Sequence, residues 1–141
     1  MKENELMIGD WVMLDNNPVK VAILAAGRGD LGLAAGEDVF ARTYNMIEPI
    51  PLTEEILKDN GWKPLKNKAW LGITVGCDEV NIMLGKNYTE IGYLNLCFNH
   101  EDPTEVNFGA NLEFPKNICV HELQHLLRMY DIDKDIVIKK K

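Results

Sequence analysis

With 141 residues, 46% of them hydrophobic, the chain is long enough for one domain, or for two small lobes sharing a core, and too apolar to be disordered. A net charge of −7, with basic residues clustered only in the tail Lys139-Lys140-Lys141, disfavours a nucleic-acid partner, because gripping a phosphate backbone takes Lys and Arg gathered on one face. No apolar run approaches the roughly 20 residues of a membrane span, and the opening Met1-Lys2-Glu3-Asn4-Glu5-Leu6 lacks an apolar leader core, so a cytoplasmic protein with no membrane partner is expected.

Eleven Gly and six Pro spread along the chain forecast many turns and short strands. Residues 8–14 alternate as a strand, Asp15-Asn16-Asn17-Pro18 is a turn by composition, and residues 19–24 form the second strand. The Gly- and Asp-rich stretch 25–38 holds at least one loop, 39–44 reads as a further strand, and Ile47-Glu48-Pro49-Ile50 as the way out. Short strands and tight turns over residues 1–50 suggest a small SH3-like or barrel-like β lobe. Next comes a helix. Thr53 is its N-cap, Glu54 and Glu55 favour the positive end of its dipole, and Asn60-Gly61 closes it, with Trp62 returning to the core. Runs at 69–75, 80–84, 90–98, and either 105–108 or 112–114, predict an antiparallel meander.

A last helix is expected from an N-cap near Asn117 to about Tyr130. At 100° per residue its apolar stripe holds Cys119, Val120, Leu123, Leu126, Leu127 and Tyr130, and His121 and His125 fall about 160° from Leu123, on the solvent side. Asp131-Ile132-Asp133-Lys134-Asp135 ends it, and Ile136-Val137-Ile138 is a candidate edge strand. The fold class is therefore α+β: a barrel-like lobe over 1–50, then a helix–antiparallel sheet–helix lobe over 51–141. Cys77, Cys97 and Cys119 lie in apolar runs with no Cys-x-x-Cys spacing, which predicts three reduced core thiols rather than a metal site.

Three segments resemble a family of short uncharacterised proteins of gut anaerobes and their phages or mobile elements. Asn4-Glu5-Leu6-Met7-Ile8-Gly9-Asp10-Trp11-Val12 is similar to that family's opening "NELRIGNWV". Ile50-Pro51-Leu52-Thr53-Glu54-Glu55-Ile56-Leu57 with Gly61-Trp62 is similar to its central "IPLTEEIL…GF". Val120-His121-Glu122-Leu123-Gln124 followed by Leu126 is similar to its closing "VHELQNLYFALTG". The resemblance implies a shared fold and assigns no activity. The family pattern has Asn where this chain has His125, and this chain replaces the "ALTG" end with Arg128-Met129-Tyr130-Asp131.

His121-Glu122-Leu123-Gln124-His125 has the form of a zincin helix. Histidines at i and i+4 can reach one Zn²⁺ from one face, and the intervening glutamate can deprotonate the bound water. In that alternative the chain is a zinc-dependent, peptidase-like hydrolase with His121 and His125 as ligands and Glu122 as base. It needs a third ligand, for which Asp131, Asp133, Asp135, His100, Glu101, Asp102 and Glu113 are the candidates, none with supporting spacing. Only sixteen residues follow His125, so a downstream ligand would require a sharp reversal of the chain. The favoured reading is that both histidines are polar residues on a wet helix face, with no catalytic residue, cofactor or metal. The function expected on that reading is a non-enzymatic accessory or interaction protein with a protein partner. Arg28-Gly29-Asp30 reads as a turn, and the glycine-rich stretch 25–32 lacks the Gly-Lys-Ser/Thr of a phosphate loop. Trp11, Trp62 and Trp70 are expected in the core.

Overall fold

The computed structural model describes residues 1, 5–25, 30–66, 69–85, 92–98, 108–114 and 118–139. The fold is α+β, with two five-stranded antiparallel sheets and two α-helices among the described residues. The chain divides into two compact units: Met1–Pro51 with Cys119–Leu126 and Ile138–Lys141, and Leu52–Ile118 with Leu127–Val137. None of the helices is long and apolar enough to cross a membrane, among the described residues.

The first unit is built on β1 (Trp11–Leu14), β2 (Asn17–Ala25), β3 (Asp30–Ala35), β4 (Asp38–Thr43) and β5 (Ile47–Pro49), with a 3-10 turn at Tyr44–Met46. Their order is β4-β3-β2-β1-β5. Leu14 pairs with Asn17, so Asp15 (φ 48°) and Asn16 (φ 65°) are the whole loop; both take left-handed backbone, which matches the twist of a two-residue hairpin. A bulge between Val21 and Ile23 bends β2. Val12, Val21, Leu31 and Leu33, each at most 2% exposed, anchor the core of this unit.

Within residues 25–38 the sequence forecast a loop but not the strand β3, on which Leu31 and Leu33 alternate inward; Gly32 between them is required because a Cβ there would stand 2.9 Å from the Cβ of Ile23. One expectation changes here: the sheet does not close into a barrel among the described residues. β5 is only three residues long and pairs with β1 alone, which leaves β4 and β5 as the two edges.

The second unit begins with α1 (Glu54–Asp59), then β6 (Lys63–Pro64), β7 (Leu71–Val75), β8 (Asp78–Met83), β9 (Gly92–Phe98) and β10 (Phe108–Phe114), a simple meander in sheet order β10-β9-β8-β7-β6. The Thr53 hydroxyl accepts the Ile56 N–H (3.2 Å) and caps α1, as its sequence forecast. At its end Trp62 N–H donates to Leu57 O (3.0 Å) and Gly61 N–H to Lys58 O (3.1 Å), a Schellman closure with Gly61 at φ 100°. Trp62 is thereby turned inward, 1% exposed, and its indole N–H donates to Val80 O (3.1 Å).

The last helix, α2, spans Val120–Met129. Asn117, the expected cap, lies outside the described residues; Cys119 precedes the helix, and its carbonyl accepts the first helical bond from Leu123 N–H (3.2 Å). Residues 130–139, after α2, form no strand. Asn60, 6% exposed, holds this segment instead: its amide group donates to Val137 O (2.9 Å) and accepts from Val137 N–H (2.8 Å).

Candidate functional site

The five-residue motif opens α2, and each of its polar side chains has a definite place. Glu122 is exposed, and its Oε1 accepts the Cys119 N–H (3.0 Å). It sits at the third helical position, so it forms the return half of a capping box, satisfying a backbone donor the helix cannot. The carboxylate cast as general base in the zinc alternative is thus bonded to its own helix start.

Gln124 is 8% exposed and bridges the strand entrance. It accepts the Trp11 N–H through Oε1 (2.9 Å) and donates to Gly9 O from Nε2 (3.0 Å). Between those two backbone groups lies Asp10, 0% exposed. One oxygen of its carboxylate, Oδ2, accepts the Met7 N–H (2.8 Å) and lies 2.6 Å from His125 Nε2. The segment takes this shape because Gly9 adopts φ 94°, which turns the chain before β1 starts at Trp11. Asp10 N–H donates to Met7 O (3.1 Å), and Asp10 O accepts from Val21 N–H (2.8 Å). Residues 8–10, read from the sequence as the start of a strand, are therefore a turn and a buried acid.

His121 corrects the expectation of a wet face. It is only 6% exposed, and its Nδ1 is buried with no hydrogen-bond partner among the described residues. His125 is half-buried, and the two imidazoles meet edge to face with centroids 5.7 Å apart. Burial holds the His121 imidazole below its ordinary pKa; His125 acts in the same direction, and Glu122, Asp10 and Glu5 oppose them. The helical phase explains the correction. The buried positions Val120, His121, Leu123, Gln124 and Leu127 span an arc of about 160°, and its centre is rotated from the purely apolar stripe toward the two polar residues that meet residues 9–11. Leu126, counted on the apolar stripe, is half-buried as a consequence.

The residues the sequence left unconnected to this motif are Asp10 and the Gly9 and Trp11 backbone. The available signal was an acid inside an otherwise apolar run, Ile8-Gly9-Asp10-Trp11-Val12, paired with a polar residue in a helix. Of the candidate third ligands, Glu113 lies exposed on β10, Asp131 takes φ 57° in the turn after α2, and Asp133 and Asp135 follow it exposed. His100, Glu101 and Asp102 lie outside the described residues, as do Arg28 and Gly29. Among the described residues no three His, Cys, Asp or Glu side chains are arranged to hold a metal ion.

The cysteines are all free thiols, but Cys77 is exposed in the β7–β8 turn, where Gly76 takes φ 62°. Cys97 and Cys119 are half-buried, so none belongs to the fully buried core. Of the tryptophans only Trp62 is fully buried; Trp11 and Trp70 are half-exposed. Comparison of the chain with protein-family models, curated proteins and solved structures gave no match.

Proposed function

We propose that this chain is a non-enzymatic accessory or interaction protein, cytoplasmic and of phage or mobile-element origin as its resemblance implies, in which the zincin-like helix is a structural clasp. The observation that carries this reading is the engagement of the motif. Glu122 is bonded to Cys119, Gln124 to Gly9 and Trp11, and His125 to Asp10. A hydrolytic site would have to break the first and last of these bonds to free its base and one ligand. An SH3-like reading of the first sheet is supported by its strand order, by the bulged long β2, and by the 3-10 turn between β4 and β5. The partner surface fitting this reading is β4, a six-residue edge strand that carries exposed Val39 (58%), with exposed Ile23 (55%) two strands away on β2, which suits strand addition by a protein segment.

The alternative, a zinc-dependent hydrolase, draws on the orphaned, buried Nδ1 of His121. One experiment separates the two. Purified protein, loaded with zinc and assayed against a labelled protein substrate, should be as inactive as its Glu122→Gln variant, while a photo-crosslinker at position 39 should capture a partner that Ala41→Pro releases. Zinc-dependent hydrolysis abolished by Glu122→Gln would replace this reading with the hydrolase.

A further inference from the structure

The second sheet carries a row of polar side chains along one face. Register places Lys63, Gly72, Asn81, Asn95 and Asn111 side by side across all five strands, on the face opposite buried Leu71, Ile82 and Leu94. Asparagine is disfavoured in strands, so three in one row run against local preference. Their amides are already aligned: Asn81 donates to Asn95 Oδ1 (3.3 Å) and Asn95 to Asn111 Oδ1 (2.5 Å). Gly72 makes room for this line, because a Cβ there would stand 2.5 Å from Asn81 Oδ1. Each asparagine has two N–H donors and an oxygen with two lone pairs; Asn95 Oδ1 is filled by Asn81 and by the Cys97 thiol (3.3 Å), but the ladder leaves an N–H donor on every member and acceptor capacity on Asn81 and Asn111 for a ligand.

Two further features share this face. Tyr93 lies two residues from Asn95 along β9, and its ring meets that of Trp70 with centroids 6.4 Å apart, giving a half-exposed aromatic platform at one side of the row. At the β6 side a groove of about 450 Å³ is lined by Gly61, Lys63, Leu65, Thr74, Glu79 and Asn81, a size within the range of small-ligand sites. The row itself is uncharged apart from Lys63, and the neighbouring rows add Glu79 and Glu113. That charge pattern rejects a phosphate backbone and matches a neutral ligand rich in hydroxyl groups.

We infer that this amide row, with Tyr93 and Trp70 beside it, is a binding face for a neutral oligosaccharide. Sugar hydroxyls take the free amide donors and acceptors, and the apolar C–H face of a ring lies on the aromatic platform. The inference lies in the second unit and does not depend on the partner surface proposed at β4.

The test is an NMR titration of the ¹⁵N-labelled full chain with cellohexaose, xylohexaose and mannohexaose, following the asparagine side-chain amides and the Trp70 indole. Saturable shifts of these signals with at least one sugar are expected, with Tyr93→Ala and Asn111→Ala each weakening binding by about tenfold. No saturable shift with any of the three sugars at millimolar concentration overturns the inference, whatever the variants do. A tighter response of the same signals to oligo-dT, or to an extended peptide, overturns it equally.

Discussion

Asp10 has no exposed surface, and His125 Nε2 lies 2.6 Å from its carboxylate. Removing that partner leaves a buried carboxylate with part of its hydrogen bonding unmade. His125→Ala should therefore lower stability by about 1–3 kcal/mol at neutral pH, well above the half kcal/mol typical of a surface change. His125→Asn, the residue of the resembling family, keeps an N–H donor and should cost less than alanine. Urea unfolding of both variants checks the order. His121 gives a pH dependence of defined sign. Its folded pKa is lowered, so the unfolded chain takes up the proton first as pH falls. Its contribution is intact above the ordinary histidine value of about 6.5 and is lost progressively as pH falls below it toward the folded value. Comparing urea midpoints at neutral and mildly acidic pH, His121→Gln should flatten part of that acid-side slope; an unchanged slope would show that His121 is not the group responsible.

Within the helices the buried and capped positions set the magnitudes. Leu123 is 0% exposed, and Leu123→Ala should destabilise by about 2–5 kcal/mol through lost contacts and a residual cavity. Glu122→Ala removes the return half of the capping box and should cost about 0.5–2 kcal/mol, with no effect on any metal content. What could be read from the sequence at this scale follows the physics of each element. Thr53, Asn60-Gly61 and Trp62 fixed α1 because capping and closure are local. The meander was legible from alternation, and β10, Phe108–Phe114, covers the second of the two runs considered for it and the last residue of the first. β3 was missed because Gly32, needed for the close approach of Ile23, looks like loop composition when its partner strand is unknown. The wet face assigned to His121 and His125 failed because helical phase was judged from apolar residues alone. Gln124 and His125 are drawn to Gly9, Asp10 and Trp11 by bonds spanning more than a hundred residues, which no local pattern encodes.

At the scale of the whole chain, two antiparallel sheets, each with its own buried apolar side, supply the order, and the described residues offer no ready-made metal cluster. Treatment with EDTA should accordingly move the unfolding midpoint by no more than about 2 °C, equivalent to roughly 0.6 kcal/mol. Cys77, exposed in its turn, should be the first thiol labelled in native protein, ahead of half-buried Cys97 and Cys119. Asp10 fastens the motif helix through His125, and a double-mutant cycle tests this most directly. Stability would be measured for Asp10→Asn, His125→Ala and the pair together. A clasp makes the two changes couple by at least about 1 kcal/mol, the double variant losing less than the sum of the singles. Costs that add to within about 0.3–0.5 kcal/mol would contradict the account.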